Sequence, residues 1–157
     1  MSFIVLGLNH QTAPVDLRER VSIAENQQEQ ALNEILQQPG VRHAVLLSTC
    51  NRTEMYCYID PQHEHQLAQW FAGFHGLETE TLNAYLYSHH DLEAVKHLFR
   101  VASGLDSLVM GEPQILGQVK QAWLSAKQQN AVQGTLDRLF QQTFALAKRV
   151  RTETQIG

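Results

Sequence analysis

A disulfide scaffold is the first thing this sequence cannot support. It holds 2 cysteines in 157 residues, too few for a bridged scaffold. Long hydrophobic runs are also missing. No stretch approaches the roughly 18 apolar residues of a membrane span. The opening "MSFIVLGLNHQTAPV" has no basic lead-in and only a short apolar run, so it reads as a first strand and not as a signal peptide. Positive charge is not in excess: 12 Lys and Arg face 16 Asp and Glu, for a net charge of -4. Nothing global pulls the chain toward nucleic acid, and any such contact would need a local patch. No G-x-G-x-x-G follows a strand pattern, so a dinucleotide fingerprint is absent. There are no internal repeats, and the many glutamines are spread over helix surfaces instead of forming a low-complexity tract. What remains is ordinary for a soluble globular protein, 43% hydrophobic and 18% charged. The length suits one domain, or two small units sharing a core, with no need for staples. With its free thiols, the chain is expected in a reducing cytoplasm. The sequon at Asn51-Arg52-Thr53 is then accidental.

The first half alternates strands and helices. "FIVLGLN" (Phe3 to Asn9) has the branched apolar content of a strand. "DLRERVS" reads as a short helix. Ala31, Leu32, Ile35 and Leu36 recur at helical spacing until Pro39-Gly40 stops them. "VRHAVLLS" (Val41 to Ser48) is apolar enough for a central strand. "TEMYCYID" alternates Met55, Cys57 and Ile59 with Glu54, Tyr56 and Tyr58, the period of a half-buried strand. These two runs bracket "TCNR" and predict a hairpin with Cys50 near its tip. A helix over residues 66–74 and a short strand at "AYLYSH" (84–89) follow. The second half is helical. Asp91 is placed to cap "LEAVKHLFRVAS" and Gly104 to stop it. Pro113 is placed at the first turn of the next helix. There Ile115, Val119, Ala122 and Ala126 face inward, and Gln114, Gln118, Gln121 and Gln128 line the other face. The last helix would bury Leu136, Phe140, Thr143, Ala147 and Val150. Lys148, Arg149 and Arg151 crowd its end, where cations suit the helix dipole. The expected fold is α+β: a ferredoxin-like antiparallel sheet with helices over residues 1–88, then an all-helical subdomain over 89–157.

"LLSTCNRTE" (Leu46 to Glu54) carries the chemistry. A free cysteine is usually a small buried hydrophobe, and Cys57 on its alternating strand fits that reading. Cys50 differs, because it ends an apolar strand beside the permanent cation Arg52. Electropositive, partly exposed surroundings make a thiol reactive. The residues alone leave nucleophile and inert thiol both open at position 50. His97 sits on the flank of an apolar helix stripe, where a satisfied core histidine is the simpler reading. "GLDSLVMGEPQ", with Ser107, Glu112 and Gln114, is either a plain helix connection or a pocket wall. The pairs His63/His65 and His89/His90 lack the further ligands of a zinc pattern, and no metal is expected.

Four long motifs then stand in one order: "GLNHQTAPV", "LRER", "STCNRTE" and "ASGLDSLVMGEPQILGQVK", closed by "RVRTETQIG". Together they resemble the bacterial glutamyl-tRNA reductases, from end to end of the chain. The resemblance implies NADPH-dependent reduction of glutamyl-tRNA to glutamate-1-semialdehyde, the first step toward tetrapyrroles and haem. It implies Cys50 as the nucleophile that forms a thioester, and His97 as acid/base or polariser. Arg52 is implied as the partner of the substrate's free carboxylate. Thr49, Glu54, Ser107, Glu112 and Gln114 are implied in substrate binding or its support, and Asn9 and His10 match the first motif near the same pocket. The family's NADPH-binding and dimerising domains would lie beyond this chain. The resemblance also implies a homodimer at full length and the next enzyme of the pathway, an aminomutase, as a partner. On this reading the piece forms the thioester but cannot reduce it. A thiol-dependent ester or thioester hydrolase unrelated to tRNA, and a non-catalytic binding module, are the alternatives.

Overall fold

A computed structural model describes residues 1–107 and 114–154, apart from the side chains of Arg151, Glu153 and Thr154. Four strands form one antiparallel sheet: β1 (Ser2–Asn9), β2 (Val41–Ser48), β3 (Arg52–Ile59) and β4 (Tyr87–His90), in the order β2-β3-β1-β4. Between β1 and β2 lie α1 (Val15–Val21) and α2 (Glu25–Gln37). Between β3 and β4 lie a 3₁₀ turn (Pro61–His63), α3 (Glu64–Phe74) and α4 (Thr79–Asn83). Then come α5 (Leu92–Ala102), α6 (Gln114–Gln128) and α7 (Gly134–Thr154). Pro113 lies outside the described residues.

The sheet is covered on both sides. Leu6 and Met55 are register partners, and Leu6 meets Ala68 of α3 around one small surface cleft. Helices α2 and α3 are joined by the Trp70 indole, which donates to Glu34 at 2.9 Å. On the opposite face the Tyr56 ring meets Phe140 of α7 edge-on at 5.6 Å, and His97 of α5 reaches Glu54. The result is helix layer, sheet, helix layer. This corrects the half-buried reading of β3: Glu54 and Tyr56 are as inaccessible as Met55 and Cys57. Alternation of polar and apolar residues marked two faces correctly, but the polar face is turned onto the second helical layer, where its groups satisfy one another.

Several local expectations shift for physical reasons. The last strand is Tyr87–His90 and not 84–89, because Tyr85 and Leu86 still close the turn of α4. It straddles residue 88. The helix expected from Gln66 begins at Glu64, on the 3₁₀ turn. Asp91 is the N-cap residue of α5, as expected, but its side chain makes no capping bond. Its φ is +49°, and its carboxylate accepts from the Phe3 N–H at 3.3 Å, tying α5 to β1. Gly104 does end α5, at φ +82°, with Leu105 N–H returned to Arg100 O at 2.9 Å. Val150, expected in the core, is only half-buried.

Candidate functional site

The hairpin between β2 and β3 turns at Thr49-Cys50-Asn51. Thr49 N–H donates to Arg52 O at 2.7 Å, and the Thr49 hydroxyl accepts from Asn51 N–H and Arg52 N–H, each at 3.2 Å. One threonine therefore satisfies three backbone groups of the tip. Ser48 steadies the strand end: its Oγ accepts from Ile23 N–H at 2.9 Å and lies 3.3 Å from Thr53 Oγ1. Cys50, at the top of this fixed turn, is exposed. Cys57 is buried in β3, where loss of water pushes its thiol up to about 12.

Below the tip lies a buried polar cluster centred on Glu54, which has no exposed surface. Its carboxylate accepts from the hydroxyls of Tyr56 and Tyr87, from His97 Nε2 and from Arg52 Nη1. Burial would raise the acid, but the His97 hydrogen bond and the Arg52 charge outweigh it and hold Glu54 at about 2. Both phenols are pushed well above their ordinary range by burial and by that carboxylate. Arg52 is 2% exposed. Its Nη1 stands 3.3 Å from Glu54, and its Nη2 donates to the Asp106 carbonyl at 2.7 Å and to the Asp106 carboxylate at 2.9 Å. Burial disfavours its charge, yet the carboxylate of Glu54 raises its basicity on balance.

His97 commits Nε2 to Glu54, which leaves Nδ1 for any proton exchange. Its ring stacks on His89 at 4.5 Å and lies 5.4 Å from Tyr87. His89 is pushed toward its neutral form, by burial first and by His97 second. His10 is also pushed down, by burial and by the nearby Arg52. Its Nδ1 is buried without a partner among the described residues.

The structure brings Arg52, Glu54 and His97 into direct contact and sets Thr49 under Cys50. Ser107 is half-buried next to Asp106, with its N–H directed at Gly104 O at 3.5 Å. Gln114 is exposed at the start of α6. Glu112 lies outside the described residues. Asn9 is buried, and its side chain accepts from Gln11 N–H at 2.9 Å while its register partner is Arg52. His63 bonds Gln66, and His90 bonds Glu64, each at 2.5 Å. Among the described residues no three potential metal ligands converge. Lys148 and Arg149 are exposed near the end of α7. No described helix is long and apolar enough to cross a membrane.

Sequence reasoning gave no place in the site to Asp106, Tyr56, Tyr87 or His89. A signal existed for Tyr56, which shares a strand face with Glu54. Asp106 lies inside a quoted motif. Tyr87 and His89 had no local signal, since only the sheet brings β4 beside the cluster.

These features define a class: a mixed helix and antiparallel-sheet domain that holds an exposed thiol on a rigid hairpin above a buried carboxylate, imidazole and guanidinium. The family profile for the glutamyl-tRNA reductase N-terminal domain matches residues 6–154. Glutamyl-tRNA reductase from Pseudoalteromonas translucida (strain TAC 125) is 54% identical over 157 residues, 100% of this chain and 38% of that protein. The solved structure of glutamyl-tRNA reductase from Methanopyrus kandleri superposes with a TM-score of 0.76 at 30% identity, covering 96% of this chain and 34% of that one. The chain belongs to the glutamyl-tRNA reductase family and corresponds to its N-terminal domain. It spans a little over a third of the length of those relatives.

Proposed function

We propose that this chain is the acyl-transfer part of a glutamyl-tRNA reductase, taking glutamate from tRNA onto Cys50 in the first step toward tetrapyrroles. The observation that carries the reading is the placement of Cys50: exposed, at the tip of a turn fixed by Thr49, two residues from a buried guanidinium. The Cys50 thiolate attacks the glutamyl α-carbonyl. The carbon–oxygen bond to the ribose breaks, the ribose oxygen takes a proton, and a thioester remains. A thioester carbonyl has less resonance stabilisation than an oxygen ester, so it is open to hydride. Serine would give an ester that resists reduction.

Arg52 and His97 take up the surrounding roles. Glu54 and Tyr87 hold His97 in one orientation, with Nδ1 as the nitrogen that exchanges a proton at the leaving oxygen. Arg52 offers Nη2 to the substrate's free carboxylate, displacing the partly exposed Asp106 side chain from it. Thr49 holds the tip, Glu54 supports Arg52 and His97, Ser107 and Gln114 stand toward the substrate, and the resemblance gives Glu112 a part in substrate binding. We also read the strand order β2-β3-β1-β4, with paired helices on one face, as ferredoxin-like, and α5–α7 as a helical subdomain beginning near residue 89.

The residues present do not fit NADPH. No G-x-G-x-x-G follows a strand, and the acidic side chains Glu25 and Glu29 line a cleft between α2 and α6, where a pyrophosphate would be repelled. Hydride transfer, the dimer contact and docking of an aminomutase are assigned to the length of the relatives that this chain does not span.

The test is deacylation. Charged glutamyl-tRNA mixed with the chain should lose its glutamate in one rapid turnover, and Cys50→Ser should not discharge it. Small thioesters and esters should turn over far more slowly. Equal turnover of small esters would favour a general thiol hydrolase, and no discharge would favour a binding module.

A further inference from the structure

Apart from Gln114, the glutamine faces of two helices are unused by the chemistry above. Helix α2 stands over one face of the sheet and α6 over the other, and between them a cleft of about 650 Å³ opens along the edge strand β2. Gln28 lies on one wall, Gln121, Ser125 and Gln128 lie on the other, and Leu46 and Ser48 form the floor.

The floor has an open hydrogen-bonding edge. Ala44 N–H points outward, to Ala131 O at 2.9 Å, whereas Thr49 N–H points inward, to Arg52 O at 2.7 Å. The register is regular from Ala44 to Ser48. Outward-pointing groups therefore fall on Ala44, Leu46 and Ser48. Ala131 covers the first. No described residue outside the sheet pairs the backbone groups of the other two. Two residues of free edge are too few for an added strand, which needs three or more. They are enough for one heteroaromatic ring.

Charge narrows the ligand further. Glu25 and Glu29 are the charged side chains of the cleft, and among the described residues no cation lines it. A phosphate is disfavoured; a neutral ring with donors and acceptors is not. Position completes the argument. Ser48 is two residues from Cys50, and two trans peptide units span at most about 7.6 Å. A group tethered to the ester that Cys50 attacks is within reach of this floor.

We propose that the cleft between α2 and α6 is the subsite for the terminal adenine of the tRNA acceptor end. The ring lies against Leu46, with its Watson–Crick edge on the outward C=O and N–H groups of Leu46 and Ser48 and its flanks on the glutamine walls. Glutamine amides supply the paired donor and acceptor that adenine presents in reverse. This assignment rests on the acyl-transfer reading of Cys50.

The probes are glutamyl amides of 3′-amino-3′-deoxyadenosine and of the matching inosine, the same size with donor and acceptor exchanged. On the 157-residue chain, the adenosine amide should bind at least about tenfold more tightly, as one bidentate pair discriminates. It should also shift the Leu46 and Ser48 amide resonances. Ser125→Phe, which fills the cleft, should abolish the preference. If that variant does not fold, the amide shifts decide alone. Equal binding of the two analogues, or unshifted Leu46 and Ser48 amides, overturns the proposal. Acylation of Cys50 by glutamyl-tRNA in the same sample would show the thioester reading intact; without acylation both fall.

Discussion

At the scale of the residue, the behaviour of the site follows from where charge is buried. Arg52 and Glu54 are both out of water, and each is tolerable because of the other. Glu54→Ala leaves the buried guanidinium with only the partly exposed Asp106 carboxylate, and two phenols without an acceptor. A loss of about 3–5 kcal/mol is expected, read as a lower urea midpoint with unchanged slope. Asp106 is a different case. Its side chain is 22% exposed and competes for Arg52 Nη2. Asp106→Asn keeps the shape and removes the charge, so half-saturating glutamyl-tRNA for acylation should fall about fivefold, or ~1 kcal/mol, with the maximal rate unchanged. A lower maximal rate would mean instead that Asp106 positions Arg52. His97→Ala should slow acylation by about 10²-fold or more while the fold persists, measured by single-turnover discharge of glutamyl-tRNA.

At the scale of the element, strand β1 has a position where no side chain fits. A Cβ on Gly7 would lie 2.4 Å from Thr53 O and 2.9 Å from Glu54 Cα, both backbone atoms that cannot yield without opening the β1–β3 pairing. Gly7→Ala should cost about 1–3 kcal/mol in denaturant unfolding and slow acylation, because the shift falls on the strand that carries Arg52 and Glu54. The elements were legible where they repeat. The hairpin, the face of α2 carrying Ala31, Leu32 and Ile35, and the glutamine face of α6 all follow from periodicity of 2 or 3.6. Cys50 was legible because the break from "VLLS" to "TCNR" is local. The second burial of β3 was not. Glu54 and Tyr56 look like a solvent face, and partners at positions 87, 97 and 140 make that face an interior. Those contacts span more than 30 residues, and no local pattern encodes them. Asp91 holds the N-cap position but makes no side-chain cap for a similar reason: its carboxylate found Phe3, across the chain.

At the scale of the whole molecule, acid should lower the protein's stability over two pH windows. His75 is lowered from 6.5 to about 4, by burial first and by Arg20 second. Its folded value lies below its unfolded one, so the neutral ring favours the folded state above pH 6.5, and that contribution is lost as pH falls toward 4. Glu54 follows. Held at about 2 against an ordinary 4.5, it stabilises fully above 4.5 and ceases to do so as pH falls through 2. Urea midpoints between pH 7 and pH 2 should fall across both windows, and Glu54→Gln should flatten the lower one. A lower window unchanged in the variant would remove Glu54 from the acid response.

The most direct measurement of the central claim is peptide mapping of the chain after acid quenching with glutamyl-tRNA. The account predicts a glutamyl group on the peptide containing Cys50, released by hydroxylamine and missing from Cys50→Ser. An unmodified Cys50 peptide, or a glutamyl group carried by any other residue, would contradict it.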